Sequence, residues 1–159
     1  MAIVKLAPAF KDYLWGGTKL KESYGKKTDL DIVAESWELS THPDGESVVT
    51  TGPYAGMKLS EYVNALGKDC LGTKGNAFEF FPILIKFIDA KQPLSIQVHP
   101  DNEYALRVEK EYGKTEMWYV LDCEEGASLY FGVNKEVTKE EFLSDTVYYY
   151  NCRKKELCM

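Results

Sequence analysis

Two alternating segments constrain this chain more than any other feature. In Pro93-Leu94-Ser95-Ile96-Gln97-Val98-His99-Pro100-Asp101, an extended backbone sends successive side chains to opposite faces. Ser95, Gln97 and His99 then share one face, and Leu94, Ile96 and Val98 the other. Downstream, Lys114-Thr115-Glu116-Met117-Trp118-Tyr119-Val120-Leu121 repeats the arrangement, with Lys114, Glu116 and Trp118 opposing Thr115, Met117, Tyr119 and Leu121. Two neighbouring strands of this kind would aim Gln97, His99 and Glu116 at one point. An amide oxygen, an imidazole nitrogen and a carboxylate oxygen suit a borderline divalent cation such as zinc, with coordination positions left open. A hydrogen-bonded rim histidine on a strand leaves the same pattern, so both readings stand on the residues alone.

The chain has 159 residues and is 45% hydrophobic, enough for one compact unit with a sizeable core. Eleven Tyr and seven Phe lean it toward sheet. A formal charge of −6 argues against nucleic acid or an acidic membrane surface as partner, since both need a basic field. A small anionic ligand would need only local cations, and Lys86 and Lys114 are the obvious supply. The apolar run at the N-terminus is too short for a secretory signal and no stretch approaches a membrane span, so a cytoplasmic location is expected. Without an export signal or CxxC spacing, Cys70, Cys123, Cys152 and Cys158 read as free thiols.

Along the chain, Ile3 to Leu6 reads as a strand closed by Pro8, and Trp15-Gly16-Gly17 as a tight turn. Residues 18–24 predict two helical turns stopped by Gly25. Ile32 to Ser40 alternates as a half-buried strand with Glu35 and Glu38 on opposite faces, so the two carboxylates cannot share a site. His42 sits in a Pro-Asp-Gly turn and reads as a turn or rim residue. Residues 47–50 would complete a hairpin with that strand. Leu59, Tyr62, Val63 and Leu66 recur at helical spacing, with Ser60 placed to cap and Gly67 to stop. In the apolar run Phe78 to Ala90, Lys86 is either a snorkelling edge residue or a ligand contact, because a buried ammonium needs an anion. Asp101 should cap a helix over 102–112 ended by Gly113, and 127–132 reads as a strand. Thr138 to Glu141 is a capping box that starts a helix to about Ser144. In the last fifteen residues, three tyrosines could form an edge strand, and Arg153-Lys154-Lys155 reads as a solvated tail.

The strings Gln92 to Asp101 and Gly113 to Leu121 closely resemble the type I mannose-6-phosphate isomerases, zinc-dependent cupins that interconvert mannose 6-phosphate and fructose 6-phosphate. Trp15-Gly16-Gly17, Glu35-Ser36-Trp37-Glu38-Leu39-Ser40 and Phe81 to Ala90 resemble further pieces of the same family, so the likeness runs from about Leu6 to about Phe142. It implies a mainly β, cupin-type jelly roll with a few flanking helices, present as an N-terminal portion: a single cupin-like region over 1–144, then a tail over 145–159 of unassigned character. It implies one zinc ion per chain, with Gln97, His99 and Glu116 as three of the family's four ligands. The fourth is a second His from a segment past the point where this chain stops. Lys86, Ser95 and Lys114 are implied as contacts to the phosphate or ring hydroxyls. Trp15 either walls the substrate or plugs the N-terminal turn.

The expected chemistry is proton movement between C1 and C2 of a sugar phosphate, with a cation stabilising the developing oxygen charge. No residue is assigned as the base. The alternative is a non-catalytic metal- or sugar-phosphate-binding cupin module, and a third reading is a metal-free interaction protein. Because a cupin barrel needs strands from both halves, open sheet edges predict a homodimer or strand-exchanged assembly.

Overall fold

The structure, a computed structural model, describes residues 3–97, 99–133, 136, 138 and 152–156. The chain divides into two compact units, Met1–Ser95 and Ile96–Met159. The described elements are mostly short strands with three α-helices. No helix among the described residues is long and apolar enough to cross a membrane.

The first unit is built on β3 (Glu35–Leu39), the middle strand of an antiparallel sheet between β2 (Ala9–Lys11) and β5 (Ile85–Ile88). Trp37 stands opposite Ala9 on one side and Lys86 on the other, while Phe10, Ser36 and Phe87 form the adjacent row. Because alternate residues face opposite ways, the sheet has two different faces. One carries Lys11, Glu35, Trp37 and Lys86. On the other, Ser36 Oγ–H donates to Glu38 Oε1 at 2.5 Å, the Lys26 ammonium lies 2.6 Å from the same oxygen, and Tyr24 packs on Phe87. The opposite-face reading of Glu35 and Glu38 is therefore met.

Pro8 closes the first strand as expected, although that strand covers Leu6–Ala7 and not Ile3 to Leu6. The proline marks the step from β1 (Leu6–Ala7), which pairs with β4 (Val48–Val49), into β2 in the other sheet. A residue without an N–H suits that hand-over point. The expected hairpin between β3 and 47–50 is likewise corrected. It begins, with Ser47 N–H donating to Ser40 O at 2.9 Å and Ser40 N–H donating to Ser47 Oγ at 3.0 Å, but β4 then leaves to pair with β1. The turn between them is as expected, with Gly45 N–H bonded to His42 O and His42 Nδ1 accepting from Asp44 N–H.

The Trp15-Gly16-Gly17 turn forms, with Gly16 N–H donating to Tyr13 O at 2.9 Å. Its glycines are required by close approach. A Cβ on Gly16 would lie 2.5 Å from Ala34 Cα, and one on Gly17 2.5 Å from Asp89 Oδ2. Helix α1 is shorter than expected, Lys19–Glu22, and its first turn is met by Asp89, whose carboxylate accepts the Lys19 N–H at 2.7 Å.

Helix α2 (Leu59–Leu66) matches its expected span, with Leu59 buried and Gly67 at φ 78° ending it. Its cap is different. Lys58 takes the N-cap position, its N–H bonded to Glu61, and Ser60 donates both N–H and Oγ–H to Glu46 Oε2 at 3.3 and 2.5 Å. A carboxylate satisfies the exposed N–H groups of a first turn better than a neutral hydroxyl can, because its charge also meets the helix dipole.

In the second unit, α3 (Asn102–Val108) is capped as expected by Asp101, which accepts the Tyr104 N–H at 2.9 Å, but it stops well before Gly113. Strand β6 (Ser128–Val133) pairs antiparallel with β7 (Cys152–Glu156), so the Arg-Lys-Lys stretch is laddered backbone and not a solvated tail. The helix expected over 138–144 and the tyrosines at 148–150 lie outside the described residues. Cys70 is a free thiol, but Cys123 is disulfide-bonded, which corrects the expectation of four free cysteines. Sequence spacing cannot show which cysteines a fold brings together.

Partial burial is the largest influence on the Glu46 carboxyl and pushes it up, but the two bonds from Ser60 and the charge of Lys58 outweigh it and leave the group below its ordinary value. A depressed folded value contributes stability above the unfolded value, near 4.5, that is lost as pH falls through the folded value. Ser60→Ala should therefore lower the urea midpoint at pH 7 and converge with the unmodified chain as the pH is lowered below 4.5.

Candidate metal centre and its companion lysines

The two alternating segments do not form strands. Among the described residues, neither 93–101 nor 114–121 joins a ladder. Alternation records which way side chains would point in an extended chain, whereas a strand also needs a neighbouring backbone to pair with.

What brings the donors together is a closure of the chain after α3. Lys110 takes a left-handed conformation at φ 61°, unusual for a non-glycine residue, and the chain returns so that Gly113 N–H donates to Asn102 Oδ1 at 2.8 Å. Gly113 lies so close to the start of the helix that an added Cβ would be 2.5 Å from the Asp101 carbonyl carbon and 2.6 Å from Asn102 N. Contact at Gly113 sets Lys114 to Glu116 beside His99.

His99 Nε2 lies 3.4 Å from Glu116 Oε2, and Lys114 Nζ lies 3.2 Å from Glu116 Oε1. Partial desolvation is the strongest influence on the Glu116 carboxyl and raises it. The hydrogen bond and charge of Lys114, the charge of His99 and a hydrogen bond from Trp118 together outweigh it, so the group titrates below the usual carboxylate range. It is anionic at neutral pH, the form a metal requires. Two donors each about 2.0–2.1 Å from a tetrahedral zinc stand about 3.3 Å apart. The Nε2 to Oε2 separation is that edge, so the pair fits the ion. Gln97, two residues before His99, is exposed. No cluster of three or more His, Cys, Asp or Glu is found among the described residues. A polar cavity of about 400 Å³ opens beside the pair, lined by His99, Asp101, Asn102, Lys114 and Thr115.

The remaining implied residues belong to the first unit. Lys86 is neither a snorkelling ammonium nor an isolated one: its Nζ lies 2.8 Å from Glu35 Oε1. Glu35 is only 5% exposed, and its other oxygen accepts the Trp37 indole N–H at 2.6 Å. Trp15 is half-buried and stacks on Tyr13 with ring centres 5.6 Å apart, while its carbonyl accepts the N–H groups of Lys91 and Gln92. The Tyr13 hydroxyl is pushed up, first by burial and then by the charge of Glu35. Ser95 is exposed at the end of the unit. The structure thus brings His99, Lys114 and Glu116 together in one unit, and in the other gives Lys86 a partner that reading the sequence had set aside. The available signal was the alternation of Glu35 and Trp37 on one face of β3. His42 is a turn residue, edge-on to Trp37 at 5.7 Å.

The described short strands and few helices are those of a cupin-type fold. A crystal structure of mannose 6-phosphate isomerase from Bacillus subtilis superposes with a TM-score of 0.84 at 34% identity, covering 99% of this chain and 50% of that one. Mannose-6-phosphate isomerase of Streptococcus mutans is 42% identical over 128 residues, which is 80% of this chain and 39% of the relative. ManA, a mannose-6-phosphate isomerase of Bacillus subtilis, is 40% identical over 139 residues, 84% of this chain and 41% of the relative. A solved structure from Archaeoglobus fulgidus shares the fold, with a TM-score of 0.63 at 20% identity. Residues 3–127 match the phosphomannose isomerase type I catalytic domain, and the chain belongs to that family. It spans about two fifths of the length of these curated relatives. The expectation of a mainly β, cupin-type fold is met, although the described strands close no barrel.

Gly113→Ala should push the returning chain away from Asp101 and part His99 from Glu116. We expect a loss of stability of about 1–3 kcal/mol, the usual cost of overpacking, and a fall in affinity for any zinc held between the two side chains. Urea unfolding and competition with a chromophoric chelator measure the two effects.

Proposed function

We propose that this chain supplies the metal- and phosphate-holding part of a metal-dependent aldose–ketose isomerase acting on mannose 6-phosphate and fructose 6-phosphate. The observation that carries this reading is the 3.4 Å separation of His99 Nε2 and Glu116 Oε2 beside a polar cavity, in a chain of this family.

Gln97, His99 and Glu116 would hold one zinc ion. When bound, zinc supplies Lewis-acid stabilisation of negative charge on a sugar oxygen. The chain's own groups do the rest. Lys114 keeps Glu116 anionic and presents a cation at the cavity wall. Lys86, with one donor engaged by Glu35, has further donors for a phosphate, and Ser95 adds a hydroxyl. The Tyr13–Trp15 stack offers an aromatic wall against a sugar ring. Holding phosphate and hydroxyls at fixed points orients C1 and C2 for proton transfer. The reading treats 1–144 as one cupin-like functional region and places the chain in the cytoplasm, where a membrane-impermeant sugar phosphate is retained. Edge strands β2 and β5, with Ile83 just before β5 and Ile85 at its start more than half exposed, favour pairing with a second copy.

The test is elemental analysis of the purified chain beside a coupled assay for fructose 6-phosphate. One zinc per chain is expected. Gln97→Ala, His99→Ala and Glu116→Ala should each lower zinc affinity at least about tenfold, the loss that even outer-shell partners cause. Turnover that Glu116→Ala abolishes supports the isomerase, zinc without turnover leaves the non-catalytic module, and absence of zinc binding overturns both.

A further inference from the structure

We infer that Trp37 is a positioning residue for Lys86: its indole N–H holds one oxygen of Glu35 and so fixes the other on the Lys86 ammonium. The inference deepens the reading above and rests on it only where Lys86 is taken to meet the sugar phosphate.

The register of the sheet makes the arrangement. Trp37 and Lys86 are direct partners across β3 and β5, and Glu35 lies two residues from Trp37 on the same face. All three side chains therefore meet on one side of the sheet. Glu35 and Trp37 are 5% and 7% exposed, so water cannot substitute for either contact. A carboxylate with one oxygen engaged at 2.6 Å loses its freedom to rotate, and the second oxygen is left directed at Lys86 Nζ, 2.8 Å away. A lysine has many rotamers to lose on meeting a ligand. One already held by a buried carboxylate has lost most of them, which is preorganisation in the ordinary sense. The ammonium has three donors, and Glu35 engages one.

A bulky indole in a sheet core would be expected as packing in any case, and Trp37 does pack: Gly45 lies so close that an added Cβ would be 2.9 Å from its ring. Packing alone does not need the N–H. The ring also lies 4.7 Å from Lys11 Nζ and 5.9 Å from Lys86 Nζ, so the aromatic face and the N–H both bear on the charged row.

The experiment uses the whole chain and has two arms. In the ligand-free arm, acetylation of each lysine by acetic anhydride is followed by mass spectrometry. Trp37→Phe should raise the labelling rate of Lys86 about fivefold, the worth of one hydrogen bond. Lys26, paired with Glu38 on the opposite face of the same strand, should not change. Unchanged Lys86 labelling overturns the inference. If Lys26 rises too, the strand itself has loosened. Benzothienylalanine at position 37, which keeps the bicyclic ring and lacks only the N–H, then gives the same decision. In the second arm, mannose 6-phosphate affinity is measured in a double-mutant cycle. Trp37→Phe should weaken binding about fivefold when Lys86 is present and have no further effect in the Lys86→Met background. Equal effects in both backgrounds would assign Trp37 to packing alone and overturn the inference. If the unmodified chain fails to bind mannose 6-phosphate, the proposed function falls, and the labelling arm still decides whether Trp37 positions Lys86.

Discussion

The first unit depends on the antiparallel register that sets Trp37 between Ala9 and Lys86. That register decides which residues are buried together. Val33 and Ala34 lead into β3 fully buried, Ser36 is fully buried, and the charged residues of β3 are each met by a partner on their own face. A shift of one residue would turn Glu35 toward the side that holds Phe10 and Phe87 and part it from Lys86, its partner on β5, while Trp37, on the same strand, would turn with it. The register is thus held by polar pairing as much as by apolar burial, because an unpaired buried carboxylate is the costlier error.

Three carboxylates illustrate how differently one chemical group is stabilised here. Glu35 is deeply buried and shares its oxygens between an ammonium and an indole. Glu46 is held by one serine through both backbone and side chain, and serves the start of a helix. Glu116 is the most open of the three, and its neighbours are a lysine and a histidine on a chain that folds back after α3. Of the three, the last has an oxygen 3.4 Å from the His99 imidazole nitrogen, next to a cavity large enough for a small ligand. A closed ion pair suits structure, whereas an open pair with a second donor at the edge length of a zinc tetrahedron suits coordination.

Much of this was legible in the residues, and what was not has a physical reason. Helix α2 could be read in its body and its end because helical spacing and a terminal glycine agree, whereas its start was misplaced, Lys58 and not Ser60 holding the cap position. The grouping of His99 with Glu116 was legible from the motif strings, but the route was not. Alternation suggested two adjacent strands, and the structure uses a helix, a left-handed residue at Lys110 and a glycine contact at Gly113. The β3–β4 hairpin failed for a similar reason. Its turn is local chemistry and was readable, whereas the choice of β1 as partner for β4 depends on a segment more than forty residues away in the chain. The pairing of Glu35 with Lys86 was not legible because the two lie 51 residues apart in the chain.

Gly113 shows why the fold and the candidate site cannot be reasoned about separately. It carries no functional group, yet its hydrogen atom occupies the place where any side chain would meet the backbone of Asp101 and Asn102. Asp101 caps α3, and Asn102 beside it accepts the Gly113 N–H. Helix cap, chain reversal and ligand spacing are therefore one contact seen from three sides. A site assembled in this way needs no sheet to hold its donors, because the short closed segment from His99 to Glu116 already limits how far they can part.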